Sequence, residues 1–236
     1  MKNNNKFRLD VWGAITLGTI ALYALFLLYP MAYLIRQSVL DPDTGGFTPA
    51  YFTKFFSKSY YFDTLINSFK VSITATVLSI AIGTPLAYLF TVFKIKGKPV
   101  LNILIVVASM SAPFIGAYSW ILLLGRSGVI TAFFKNLGIA IPDIYGFGGI
   151  VLVMTLQLFP LVFLYAKGAL KNIDNSLIEA AENLGCSGIV CFFKVVVPLI
   201  MPTLLAAALL VFMRSFADFG TPMLIGEGYR TFPVVL

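Results

Sequence analysis

The chain has no histidine, two cysteines, and only 11% charged residues among its 236 positions. Without imidazole, His-based acid–base catalysis and His-ligated metal chemistry are excluded within this chain. Cys186 and Cys191 are the whole thiol inventory. Both fall in a loop expected to face the cytoplasm, where thiols stay reduced. Two thiols alone also make a poor metal site, so none is expected. The sequence contains no Gly-x-x-x-x-Gly-Lys-Ser/Thr loop, so no P-loop nucleotide site and no cofactor are expected in this chain. Internal repeats and low-complexity linkers are missing too. The reading is one membrane domain.

What fills the chain is apolar. At 59% hydrophobic residues it lies well above the roughly 45–50% of soluble domains. Several runs reach the roughly 20 residues that a bilayer demands. The fold class expected is all-α, a polytopic transmembrane helical bundle with about five spans visible. They run from about Val11 to Ile35, Thr64 to Phe93, Val100 to Leu124, Gly149 to Ala169, and from Pro198 or Pro202 to Phe216. Gly83 and Pro85 should bend the second, Pro113 and Gly116 lie inside the third, and Pro160 should kink the fourth. The first run is too long for a cleaved signal and is read as a retained span. The closing stretch Thr231–Leu236 turns apolar and stops, which reads as a sixth span cut off within a longer protein. By region, 1–63 holds an N-terminal tail, the first span and an outer loop. Residues 64–236 hold the core, with a loop near 170–197.

The net charge of +7 would suggest nucleic acid in a soluble protein. Here the basic residues sit in short inter-span loops and set topology instead, so the partner expected is lipid bilayer rather than nucleic acid. With an inner N-terminus, the inner segments hold Lys2, Lys6, Arg8, Lys94, Lys96, Lys98, Lys167, Lys171 and Lys194. The outer loops hold Arg36, Lys54, Lys58, Arg126, Lys135 and Arg230, offset by Asp41, Asp43, Asp63, Asp143, Asp218 and Glu227. The triplet Lys94, Lys96, Lys98 places the N-terminus in the cytoplasm.

Between the fourth and fifth spans, Leu177, Ile178, Ala181, Leu184 and Gly185 cluster at helical spacing, with Glu179, Glu182 and Asn183 mostly elsewhere. Asn175 or Ser176 can cap this helix, which places Glu179 in its first turn, and Gly185 or Gly188 can end it. Small residues allow close approach of a partner, and the acids offer pairing to a basic rim. A helix lying on the membrane without a partner gives the same periodicity.

Glu179-Ala180-Ala181, three residues, Gly185, nine residues, Val195, one residue, Val197-Pro198 resembles the EAA loop of type I ABC importer permeases. The family pattern E-A-A-x3-G-x9-I-x-L-P is departed from only by Val195 and Val197. Asn67-Ser68, Gly83-x-Pro85-Leu86-Ala87-Tyr88, and Pro113 with Trp120 follow in family order. The resemblance implies a coupling helix that docks on a cytoplasmic ABC ATPase. Glu179, Ala180, Ala181, Gly185 and Pro198 would be the coupling residues. It also implies an extracytoplasmic solute-binding protein, a second permease half or copy, and residence in a bacterial inner membrane.

Gln157 in the fourth span and Arg214 and Asp218 near the end of the fifth are the candidates for a translocation path. Arg214 could instead snorkel, paired to Asp218 four residues on. Gln157 could instead bond a neighbouring helix. Ala217-Asp218-Phe219-Gly220-Thr221-Pro222 resembles permeases of the ferric-iron branch and relatives carrying polyamines, thiamine or aminophosphonates. Ferric iron is the cargo expected from it. Tyr51, Phe52, Phe55 and Phe56, followed by Tyr60, Tyr61 and Phe62, fit an interfacial aromatic belt or a docking face for the binding protein. An intramembrane enzyme is disfavoured because no nucleophile, base or metal set falls within the spans. An ATP-independent carrier or channel would place ionisable residues mid-span, whereas Lys70 and Arg214 lie near span ends.

Overall fold

The structure is a computed structural model describing residues 11–41, 45–93, 95–110, 112–139 and 142–235, with the backbone alone at 175 and 182. The basic residues Lys2, Lys6, Arg8 and Lys94 used for orientation, and Asp43, lie outside the described residues. Two compact units are present, Met1–Ser59 and Tyr60–Leu236. Among the described residues five helices are long and apolar enough to cross a membrane.

In the first unit α1 runs Val11–Val39, and no residue in its most apolar stretch is buried. An apolar exterior on a 29-residue helix suits lipid rather than water. A π-type turn at Ala24–Leu28 ends where the Tyr29 N–H donates to the Ala24 carbonyl. Pro30 comes next and has no N–H to donate. The helix widens by one residue before the proline instead of breaking at it. A short helix, α2 (Ala50–Ser57), carries the aromatic cluster, with Phe55 edge-on to Phe56 at 5.2 Å.

The second unit begins with α3 (Ser59–Val92), followed by α4 (Lys98–Ser109), α5 (Pro113–Leu124), α6 (Val129–Asn136), α7 (Phe147–Lys171), α8 (Asn175–Asn183), α9 (Gly188–Phe216), α10 (Gly220–Ile225) and α11 (Phe232–Val235). The third expected span is not one helix. Pro113 pushes Ala112 to extended backbone (φ −69°, ψ 142°), because a proline ring crowds the residue before it. The run therefore splits into α4 and α5. The fifth span starts ten positions earlier than expected. A second π-type turn, Phe192–Val196, ends with the Val197 N–H donating to the Phe192 carbonyl, directly before Pro198. Pro198 is thus carried inside a continuous helix, as Pro30 is, and does not begin one.

Helices α3 and α7 form the spine. Small side chains face inward from α3: Thr64, Ser68, Ser72, Ala75, Ser79, Gly83 and Ala87 are all buried. Such a stripe lets helix backbones approach closely where no hydrophobic gain between helices is available in lipid. At Gly83 a Cβ would lie 2.8 Å from Val162 Cβ and 2.9 Å from the Phe159 carbonyl oxygen. Gly83 is therefore a point of helix contact, and α3 continues unbroken through Pro85. Two apolar clusters line the spine. One, nearer the starts of α3 and α7, joins Val71, Ala75, Ile150, Met154 and Ile225. The other, nearer their ends, joins Phe90, Val162, Phe163, Leu170, Phe192 and Val196.

Candidate functional site

Two sites emerge from this frame, a projecting helix and a cavity. Helix α8 follows α7 after a three-residue turn. Its cap is Asp174, one position before Asn175 and two before Ser176, the residues expected. Asp174 Oδ1 accepts the Ser176 N–H at 3.0 Å, and its carbonyl accepts the Leu177 N–H at 3.1 Å. Ser176, through its backbone N–H first and its side chain second, holds the Asp174 carboxyl below its ordinary value, since hydrogen bonds to the charged form favour it. Starting at Asn175, the helix puts Glu179 at its fifth residue, outside the first turn.

The far end closes on Gly185. Its φ of +85° lies where a side chain is strained. The Cys186 N–H reaches back to the Ala181 carbonyl at 3.1 Å and the Leu184 N–H to the Ala180 carbonyl at 3.1 Å. The Leu184 bond is the last ordinary helical one, and the Cys186 bond is the six-residue closure of a Schellman turn, which needs a left-handed residue after the last helical turn. Gly188 starts the next helix rather than ending this one.

The apolar face of α8 divides. Ile178 packs on the cluster around Phe192 and Val196, and Ala181 is half-buried. Glu179, Ala180 and Gly185 are exposed. Leu184, just past the end of α8, is exposed by 90%, and Ile189 and Phe193 on the first turns of α9 by 77% and 65%. Nothing within 4 Å would meet a Cβ at Gly185. Pro198, the last coupling candidate, lies on α9 beyond its π-type turn and is also exposed.

The second site brings all three path candidates together. Gln157, Arg214 and Asp218 line one cavity of about 430 Å³ with Ser109, Phe114 and Phe219. The end of α4 and the start of α5 shape its wall, since Ser109 is the last residue of α4 and Phe114 the second of α5. The Phe114 and Phe219 rings meet edge-on at 6.0 Å. Gly220 is needed where it sits, because a Cβ there would press on the Phe114 ring at 3.2 Å. The expected pairing of Arg214 with Asp218 does not form. Helix α9 ends at Phe216, so the helical i,i+4 relation is lost. The Asp218 carboxylate instead accepts from Gly220 N–H at 2.8 Å, Thr221 N–H at 3.3 Å and the Thr221 hydroxyl at 2.7 Å, closing the start of α10.

One constellation escaped the sequence reading. Arg126 donates to both oxygens of Glu227 at 2.9 and 3.0 Å and to Asp143 at 3.0 Å, and its guanidinium lies 4.8 Å from the Tyr145 ring centre. Three loops are tied together at the end of the bundle opposite α8. Glu227 holds a φ of +50° there. No local signal marks this network, because the partners stand 17 and 101 residues away. The Asn67-Ser68 pair also gains a role: Asn67 Nδ2 donates to the Arg230 carbonyl at 3.1 Å, and Ser68 Oγ accepts the Phe232 N–H at 2.8 Å.

Residues 64–235 match the model of the binding-protein-dependent transport system inner membrane component. The chain is similar to the ferric transport system permease protein FbpB of Actinobacillus pleuropneumoniae, 28% identical over 232 residues, covering 97% of this chain and 33% of that protein. It is similar as well to the spermidine/putrescine transport system permease protein PotB of Haemophilus influenzae, 28% identical over 232 residues, covering 94% of this chain and 79% of that one. The chain thus spans 33% of the length of the ferric permeases it matches. Its fold resembles a bacterial ABC transporter involved in the import of the acidic polysaccharide alginate, with a TM-score of 0.70 at 18% identity over 94% of this chain and 78% of that chain. At that identity the likeness is one of fold. The match from Thr64 to Val235 covers most of the sequence, and the chain belongs to the family of binding-protein-dependent transport system inner membrane components.

Proposed function

We propose that this chain is the membrane-spanning permease of an ATP-driven importer, with α8 as the helix on which a separate ATPase acts. The observation that carries this is the build of α8. It is capped at one end and closed by a left-handed glycine at the other, it exposes Glu179 and Ala180, and the chain that follows exposes Gly185, Leu184, Ile189 and Phe193. A patch of large apolar side chains around bare backbone fits a protein surface better than water. Its inner side, through Ile178, rests on the cluster that reaches α7 and α9. Force on α8 therefore reaches two spans through packed side chains rather than a loose loop.

ATP binding would favour one of two helix packings by engaging α8 differently in each. The cavity at Gln157 and Arg214 would be the route that opens and closes. The chain is a multi-pass inner-membrane protein with its N-terminus in the cytoplasm. A binding protein would deliver the cargo from outside, and a second permease half or copy would complete the route. Ferric iron is the cargo that the FbpB relatives support, and the PotB relatives support a polyamine equally in identity. Gly185→Asp tests the reading. Uptake and co-purification of the ATPase should be abolished while membrane insertion stays intact, and normal uptake would remove α8 from the mechanism.

A further inference from the structure

The polar groups of the cavity are unequally occupied, and that inequality points to a class of cargo. Ser109 donates its hydroxyl to the Val106 carbonyl at 2.6 Å. Both Asp218 oxygens accept hydrogen bonds from the start of α10. Among the described residues neither Arg214 nor Gln157 has an ion pair or hydrogen bond. The free side-chain groups are thus a guanidinium and a carboxamide, both with donors to spare. Phe114 and Phe219 wall the same space, and apolar walls strengthen a charge–charge contact by thinning the water around it.

A polycation entering this cavity would meet an unpaired guanidinium and a carboxylate already in use. We propose that the cavity receives its cargo through an anionic group on it, a carboxylate or a phosphate. Arg214 offers that group a two-pronged contact, and Gln157 adds a second donor. The inference rests on the importer reading, and it makes ferric iron pass as an anionic chelate and a free polyamine a poor fit. A single guanidinium without a fixed carboxylate partner also suits transport, where the cargo has to leave again.

Phenylglyoxal, a small arginine reagent, tests this on the full chain in native membranes, with the Arg214 peptide quantified by mass spectrometry. Citrate and inorganic phosphate, each at about four times its dissociation constant, should slow modification of Arg214 roughly fivefold, since protection follows 1 + [L]/Kd. Spermidine at equal ionic strength should not. Gln157→Leu should weaken the anion protection. Equal protection by spermidine, no protection by either anion, or a guanidinium that phenylglyoxal never reaches would each overturn the proposal. The importer reading fails separately, if no ATPase co-purifies with the chain.

Discussion

The two ends of the Tyr60–Leu236 unit are finished in opposite ways. At one end Arg126, Asp143 and Glu227 satisfy one another across three loops. At the other, α8 is held by one carboxylate cap and a glycine turn, and it leaves Leu184, Ile189 and Phe193 uncovered. The first end ties its own loops together with charges. An end that exposes large apolar side chains around a small-residue helix is built to be covered. The difference separates an end cross-linked by its own charges from one whose projecting helix is left open, and substitutions at four positions probe it.

The largest effect is expected at the spine that both ends share. Gly83→Leu would drive a side chain into Val162 and the Phe159 carbonyl. Overpacking of this kind costs about 1–3 kcal/mol or more. Melting of the purified protein should fall sharply, and both ends should loosen together. Gly185→Ala comes next. Space is open there, so the penalty is backbone strain at φ +85°, roughly 1 kcal/mol. ATPase association should weaken, and Gly185→Asn, which tolerates that conformation, should recover most of it. If Asn were as defective as Ala, the glycine would be needed for its bare surface rather than its φ.

Arg126→Ala should lower the melting temperature modestly at low salt and less at high salt, because both of its ion pairs are exposed. ATPase association at the α8 end should not change. Loss of association would mean that the two ends are coupled. The smallest effect concerns Asp174. Its folded carboxyl is depressed, so its cap stabilises fully above the ordinary carboxylate range and is lost as pH falls through the folded value. Asp174→Asn keeps an acceptor and should remove that acid sensitivity, as read by melting curves between about pH 6 and pH 3.

Much of this architecture was legible because it is local. Apolar run length announces spans, and the Glu179–Gly185 spacing announces a helix with a glycine stop. What was not legible depends on backbone detail or on distance. Pro113 could have kinked a helix and instead ends one, since Ala112 has no room to stay helical. Pro198 could have begun a helix and instead sits inside one, because the turn before it widens to a five-residue step. The i,i+4 spacing of Arg214 and Asp218 predicts a pair only while the helix lasts, and it ends at Phe216. Gln157, Arg214 and Asp218 were each visible as polar residues in apolar runs. Their meeting in one cavity required the break between α4 and α5. The Arg126 network joins residues on three separate loops and leaves no pattern in the sequence.

Cysteine accessibility on α8 gives the most direct test of the central claim. With Cys186 and Cys191 replaced by Ser, Ala180→Cys would carry the only thiol in this chain. A membrane-impermeant maleimide added from the cytoplasmic side should label it in membranes stripped of the ATPase, and restoring the ATPase should protect it. Labelling from the outer side, or equal labelling with and without the ATPase, would contradict the account.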